Sequence, residues 1–302
     1  MNVIPLPPSL DHKTVDAFLD EVWQAPAGKL LFDARHLRWI DPHGMVALLS
    51  AGSAWKQKHQ ADVRLQLGES PEVPGYLARM GFFVEAEKVF LLDHRPANRS
   101  GGDSDVLLEI TSVATNSDVH SVVDRVQAAA GRVLSRTLGY PPTAVVQFSV
   151  ILSEVCQNVI EHAQAPGWVA AQAYYWQRRL GRFVLVIALS DVGRGFRASL
   201  EGEHSTRFGE RWSDAAALEA VFVHGASRFA DSGRGQGIQQ IRKQVQRWDG
   251  MFSIRSGSAR IADVQEWDDS RDRVEGLAPF PGAHIGIILP AVRSDGDGED
   301  RP

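Results

Sequence analysis

The stretch Glu154-Val-Cys-Gln-Asn158-Val-Ile-Glu-His162 decides how the second half of this chain is read. Residues four apart on an α-helix drift by only about 40° per step, so Glu154, Asn158 and His162 share one face. Val155, Val159 and Ile160 fall on the other side and can pack into a core. A carboxylate and a carboxamide one turn apart suit Mg2+, which keeps several waters and takes few protein oxygens. A plain amphipathic helix with a polar outer stripe has the same pattern.

Two further clusters follow in order. Phe183-Val-Leu-Val-Ile-Ala-Leu-Ser-Asp191-Val-Gly193-Arg-Gly195-Phe196 is an apolar strand that delivers an acid into a glycine turn. A carboxylate only accepts hydrogen bonds, so in a pocket it can select a ring amine such as adenine N6. Gly193 and Gly195, without Cβ, let backbone approach a ligand closely. An ordinary strand-ending turn also favours Asp and Gly. Ser232-Gly233-Arg-Gly235-Gln-Gly237-Ile238 opens a helical run to Trp248. Glycines ahead of a helix expose backbone N–H groups at the positive end of its dipole, a natural phosphate cradle. A flexible capping loop is the plain alternative. The spacing is neither a P-loop nor a dinucleotide fingerprint.

Working outward, the second half starts with a strand, Val106–Val113, and a helix from Ser117 to about Leu138. Pro141-Pro142 breaks the chain, and Thr143 opens the helix that carries Glu154. Trp168–Gln177 and Arg182–Ser190 form a hairpin about the turn Arg178–Gly181. A helix over Ser213–Val223, another over Gly237–Trp248, and strands at Met251–Arg255 and His284–Leu289 complete an α+β sandwich with helices on one face of an antiparallel or mixed sheet. The first half alternates instead: helix in Asp11–Trp23, strand at Lys29–Asp33, helix over Gly44–Lys58, strand at Val63–Leu67 and helix over Pro74–Gly81. That rhythm predicts an α/β domain of mixed sheet and helices. Residues 95–104, rich in Pro, Gly and small polar side chains, read as a linker. The acidic, glycine-bearing segment 293–302 lacks apolar anchors and reads as a disordered tail. The expected organisation is therefore 1–94, linker, 105–292 and tail.

Composition limits the function classes. The chain has 302 residues, 44% hydrophobic and 23% charged, with a formal charge of −5. It reads as a folded protein without the basic face that nucleic-acid binding needs. One cysteine, Cys156, excludes an internal disulfide. No stretch approaches the roughly 18 apolar residues of a membrane span, and the N-terminus lacks the pattern of a signal peptide. A cytoplasmic protein is expected.

Together the three clusters resemble the N, G1 and G2 boxes of the GHKL superfamily (gyrase, heat-shock chaperone, histidine kinase, MutL), as ExxxNxxxH, DxGxG and GxGxG. The segment Gly282-Ala-His-Ile-Gly-Ile-Ile-Leu-Pro290 resembles the strand that closes this Bergerat-type sandwich. The resemblance covers residues 105–292 and implies ATP and Mg2+ as ligands. It implies Asn158 as the Mg2+ ligand, Glu154 as general base and Asp191 as the adenine contact. Gly193, Gly195, Gly233, Gly235, Gly237 and His162 join the nucleotide-binding set, and residues 196–232 form a lid. The upstream helix has His120 without the acidic neighbour of a histidine kinase. Glutamate at the first N-box position looks most like the bacterial anti-sigma-factor serine kinases, where it takes the proton of a substrate hydroxyl.

The first half adds a second likeness. Lys29-Leu-Leu-Phe-Asp33, then Trp39-Ile-Asp41-Pro-His-Gly44-Met-Val-Ala-Leu-Leu49, is similar to the STAS domain of anti-sigma-factor antagonists. Pro42 and His43 stand where that family has serines, which excludes self-phosphorylation there in the usual way. His43 reads as a surface residue at a helix cap. The resemblance implies an ATP-dependent serine/threonine kinase of the partner-switching type, acting on a STAS-type protein or a sigma factor. A non-catalytic ATP-dependent switch and a simple GHKL ATPase are the alternatives. No nucleic-acid or membrane partner is expected, and a homodimer is left open.

Overall fold

The computed structural model describes residues 1–93, 106–158, 165–201, 212–226 and 237–292. The expected linker and tail lie outside them. Among these residues no helix is long and apolar enough to cross a membrane. The described residues form a mixed α/β structure with a four-stranded parallel sheet, a five-stranded antiparallel sheet and a two-stranded ladder.

In the first half, β1 (Asn2–Pro5), β3 (Leu30–Ala34), β5 (Val63–Leu67) and β6 (Leu91–Leu92) form a sheet in the order β1-β3-β5-β6. Every pair is parallel, so the expected mixed sheet is corrected. Each return of the chain is a helical crossover, which parallel pairing requires: α1 (Val15–Gln24), α2 (Pro42–His59), then α3 (Glu72–Arg79) and α4 (Phe82–Val89). Sequence reading stopped at Gly81, which takes a positive φ of 69° and starts α4. A short parallel ladder joins β2 (Ser9–Leu10) to β4 (Trp39–Ile40).

Helix α2 begins at Asp41, whose side chain accepts the N–H of Gly44, with Pro42 in the first turn; both are strong start signals. It ends at Gln60 in the left-handed region, after Lys56, Lys58 and His59 in the last turn, where cations suit the helix dipole. Most of its length is buried, from Pro42 through Trp55. A helix apolar all round belongs inside a protein, and α2 lies between the two sheets.

The second half is an antiparallel sheet in the order β10-β11-β9-β8-β7, made of β7 (Val106–Val113), β8 (Gly167–Trp176), β9 (Arg182–Asp191), β10 (Met251–Asp263) and β11 (Arg273–Pro290). The last two run far beyond the expected Met251–Arg255 and His284–Leu289. The register shifts at Ser256 and Gly257, a bulge that breaks the apolar alternation without ending the ladder. The single helix expected over 117–138 is α5 (Asn116–Ala130) followed by a π-helical stretch, Gly131–Thr137. The remaining helices are α6 (Pro142–Asn158), α7 (Gly195–Ser199), α8 (Asp214–Phe222) and α9 (Gly237–Arg247).

Alternation along β9 sends Leu185, Ile187 and Leu189 into a core shared with α5, α6, α8 and α9. Ala188, with Trp168 and Ala170 of β8, packs instead with α1, α2 and α4 of the first half. Both faces of the sheet are thus covered, and the halves share a continuous apolar interior. Polar contacts cross the same boundary. Arg255 of β10, 2% exposed, reaches Oδ1 of Asp16 at 3.1 Å and Oδ1 of Asp20 at 2.6 Å on α1. Trp168 Nε1 donates to Glu85 Oε2 at 3.1 Å, and Ser190 Oγ pairs with Ser50 Oγ at 2.9 Å.

Candidate functional site

Asp191 is the last residue of β9 and is 4% exposed. The strand, buried on both faces, carries the carboxylate inward on the same side as Leu189 and the helices α6 and α9. Burial pushes its pKa up to about 7, opposed by the backbone N–H groups of Gly193 and Ala283. The Gly193 amide donates to Oδ1 at 2.8 Å. Backbone crowds this carboxylate closely: a Cβ at Gly282 would stand 2.2 Å from the Asp191 carbonyl oxygen and 2.5 Å from Oδ1.

Gly195 has a φ of +72°, and a Cβ there would lie 2.6 Å from Ser256 Oγ. Ser256 braces the turn: its hydroxyl accepts the Phe196 N–H at 3.0 Å and donates to Gly282 O at 2.9 Å. Sequence reading missed both Ser256 and the role of Gly282, because the pairing of β10 with β11 at this point is non-local. The glycine of the quoted closing segment was the one available signal.

Glu154 is exposed on α6, while its neighbours Val155 and Cys156 are buried. Its carboxylate lies against the first residue of α9: a Cβ at Gly237 would be 2.5 Å from Oε2. The negative group therefore sits at the positive end of a helix dipole. Glycine at 237 is what permits that approach. Asn158 ends α6; its side chain, and the whole of His162, Gly233 and Gly235, lie outside the described residues.

The structure thus forms two local pairs among the predicted site residues, Asp191 with Gly193 and Glu154 with Gly237. Their neighbours Leu189, Phe196, Val155 and Ile238 belong to one buried cluster. Helix α8 was expected as part of a moving lid. Ala217, Leu218, Val221 and Phe222 bury it in that same core, and Asp214 accepts both the N–H and the hydroxyl of Ser258 at 2.9 and 2.8 Å. It is a core helix in this structure; of the expected lid, residues 202–211 and 227–232 lie outside the described residues.

His43 is not at the surface. It is 2% exposed, and its Nδ1 lies 3.1 Å from His284 Nε2 on β11. A helix does start here, capped by Asp41, but the cap is itself buried against the second sheet. Burial, reinforced by His284 and His12, lowers the His43 pKa well below the usual range. Burial and Arg255 push that of His284 down to about 3. Both rings are neutral near pH 7. A separate groove of about 620 Å³, lined by Tyr140, Arg182, Arg247 and Trp248 among others, touches none of the predicted site residues. Compared with known proteins, the chain matches no protein-family model and no curated sequence.

Proposed function

We propose that residues 105–292 form a GHKL-type domain that binds ATP with Mg2+ and phosphorylates a serine or threonine of a STAS-type partner protein. The observation that carries this reading is the buried Asp191 carboxylate at the end of β9, held between the Gly193 turn and the 282–283 backbone. An acceptor set in apolar surroundings suits an exocyclic amine such as adenine N6, whose donor it can satisfy. The Glu154 carboxylate at the glycine-fronted entry of α9 supports the phosphate end, because exposed N–H groups there favour anions.

Asn158, one turn beyond Glu154, would hold Mg2+, which supplies charge neutralisation at the phosphates. Glu154 is exposed, as a base that serves another protein's hydroxyl must be. It would accept the hydroxyl proton as the oxygen bonds to the γ-phosphorus and the bond to ADP breaks. Positioning carries most of the catalysis in such a transfer. The Asp41-Pro42-His43 turn faces β11 from the side opposite to Asp191, which favours action on a separate protein over action on this chain's own first half. The first half, STAS-like in its strand–helix rhythm, serves in this reading as a regulatory element.

The test is transfer of radiolabelled phosphate from ATP to candidate STAS-type proteins by the full chain. Label should pass to the partner, and Glu154→Gln should abolish transfer while leaving ATP binding intact. Full transfer by that variant removes Glu154 as the base. The covering of the sheet by α1 and α2 favours one second reading, a non-catalytic switch in which ATP changes a docking affinity; tight ATP binding with neither transfer nor phosphate release would select it.

A further inference from the structure

His43 and His284 take no part in the proposed chemistry, yet they bear on the backbone that holds Asp191. Gly282, Ala283 and His284 are consecutive on β11. Gly282 crowds the Asp191 carboxylate, and Ala283 gives its N–H to it. His284 pairs with Ser190 in the ladder, and strand alternation sends its ring to the face opposite Ala283. There it meets His43, projecting from the first turn of α2, at 3.1 Å. The rings come this close because residue 286 is glycine: a Cβ there would be 2.0 Å from His43 Cε1. Ser50, two turns along α2, fastens the adjoining strand through Ser190, the neighbour of Asp191.

We infer that His43 is a positioning residue for adenine recognition. Through His284 it anchors residues 282–284 from the back of the sheet, and so fixes the backbone donor that aims the Asp191 carboxylate. It touches neither nucleotide nor Asp191. The inference rests on the adenine reading of Asp191 and deepens it: the first half of the chain completes the nucleotide site from behind. Coupling of this kind is reciprocal, so nucleotide also tightens the docking of α2.

Calorimetric titration of ATP and of GTP, each with Mg2+, tests this on the full chain and four variants: His43→Ala, Gly286→Ala, the double variant, and Tyr76→Phe. The last removes an interface contact with Tyr174 that lies away from 282–284. His43→Ala and Gly286→Ala are each expected to weaken ATP by about tenfold while GTP changes little, because a misaimed carboxylate loses its preference for an amine. The double variant should lose no more than either single one, since the added methyl group enters the space the imidazole leaves, a non-additivity expected only of groups in contact. Tyr76→Phe should bind as the wild type does. Wild-type ATP affinity in folded His43→Ala, additive losses, or equal losses for both nucleotides would overturn the inference. If His43→Ala does not fold, His43→Asn replaces it; retained discrimination supports anchoring by a hydrogen bond, and lost discrimination with an unchanged Gly286→Ala variant overturns it. A wild-type chain that binds no ATP sinks the nucleotide reading and this inference together, whereas wild-type binding with unaltered variants sinks this inference alone.

Discussion

Ser190 and Asp191 are neighbours in β9, but they look out on different halves of the molecule. Asp191 points toward the helices α6 and α9 and stands within a set of backbone donors. Ser190 points toward α2 and, with His284, belongs to a polar seam within an apolar boundary. On one face a buried carboxylate is held at an energetic disadvantage. The other is closed by the protein itself. Desolvation of this kind has to be offset elsewhere in a fold, and the polar seam lies on the back of the same two strands, β9 and β11.

The largest effect that would break this comparison is expected at Arg255. It is 2% exposed and reaches Asp16 and Asp20 across the boundary. Removing it with Arg255→Met leaves Asp20 without its cation, while Asp16 keeps Arg260 at 2.9 Å, and should lower unfolding free energy by about 3 kcal/mol, read by urea denaturation. A change of only a few tenths would mean the seam does not hold the halves together.

Asp191→Asn should act in the opposite direction on the ligand-free protein. The folded pKa of about 7 exceeds the ordinary 3.8, so the carboxyl contributes fully to stability below about pH 4 and that contribution is lost as pH rises through 7. The amide removes the penalty, and the variant should be more stable than wild type by about 2 kcal/mol at pH 8, with little difference at pH 4. Destabilisation at pH 8 would contradict a desolvated carboxylate.

The histidine pair gives the reverse slope. Both folded pKa values are lowered, so stability is fully present above about pH 6.5 and lost as pH falls below it. His12 and Arg260 also act on His43, and Arg255 on His284; these reinforce the neutral state. Between pH 7 and 5 the urea midpoint should fall, and His284→Asn should flatten that slope by up to about 1.4 kcal/mol per pH unit. The smallest effect is expected from Trp168→Phe, which takes a hydrogen bond from the buried Glu85 at a cost of about 1 kcal/mol, without altering the helix-side face.

Much of the second half was legible because its signals are local. The β8–β9 hairpin, the start of α6 after Pro141 and the start of α9 at Gly237 stand where apolar periodicity and turn residues placed them. The extension of β10 and β11 was not, since a bulge at Ser256 and Gly257 and polar residues near the hairpin tip hide a ladder that depends on long-range pairing. Docking of α2 was written in two places that periodicity alone does not connect. Val184–Leu189 is an apolar run without polar alternation, the mark of a strand covered on both faces. Met45–Leu49, Ala51, Ala54 and Trp55 surround α2 rather than forming a stripe. Neither run says that it covers the other. His43 was misjudged for the same reason, because a cap motif specifies backbone geometry and not what packs on it.

Of the motif residues, Asp191 with Gly193 and Glu154 with Gly237 form two pairs around one core, while Gly195 packs against Ser256. The most direct measurement of the central claim is calorimetric titration of ATP into the intact chain, with and without Mg2+, beside Asp191→Asn. Saturable binding strengthened by Mg2+, and weakened by about tenfold to a hundredfold in the variant, is the expected result. Absence of binding to the wild-type chain, or equal affinity in the two proteins, would contradict it.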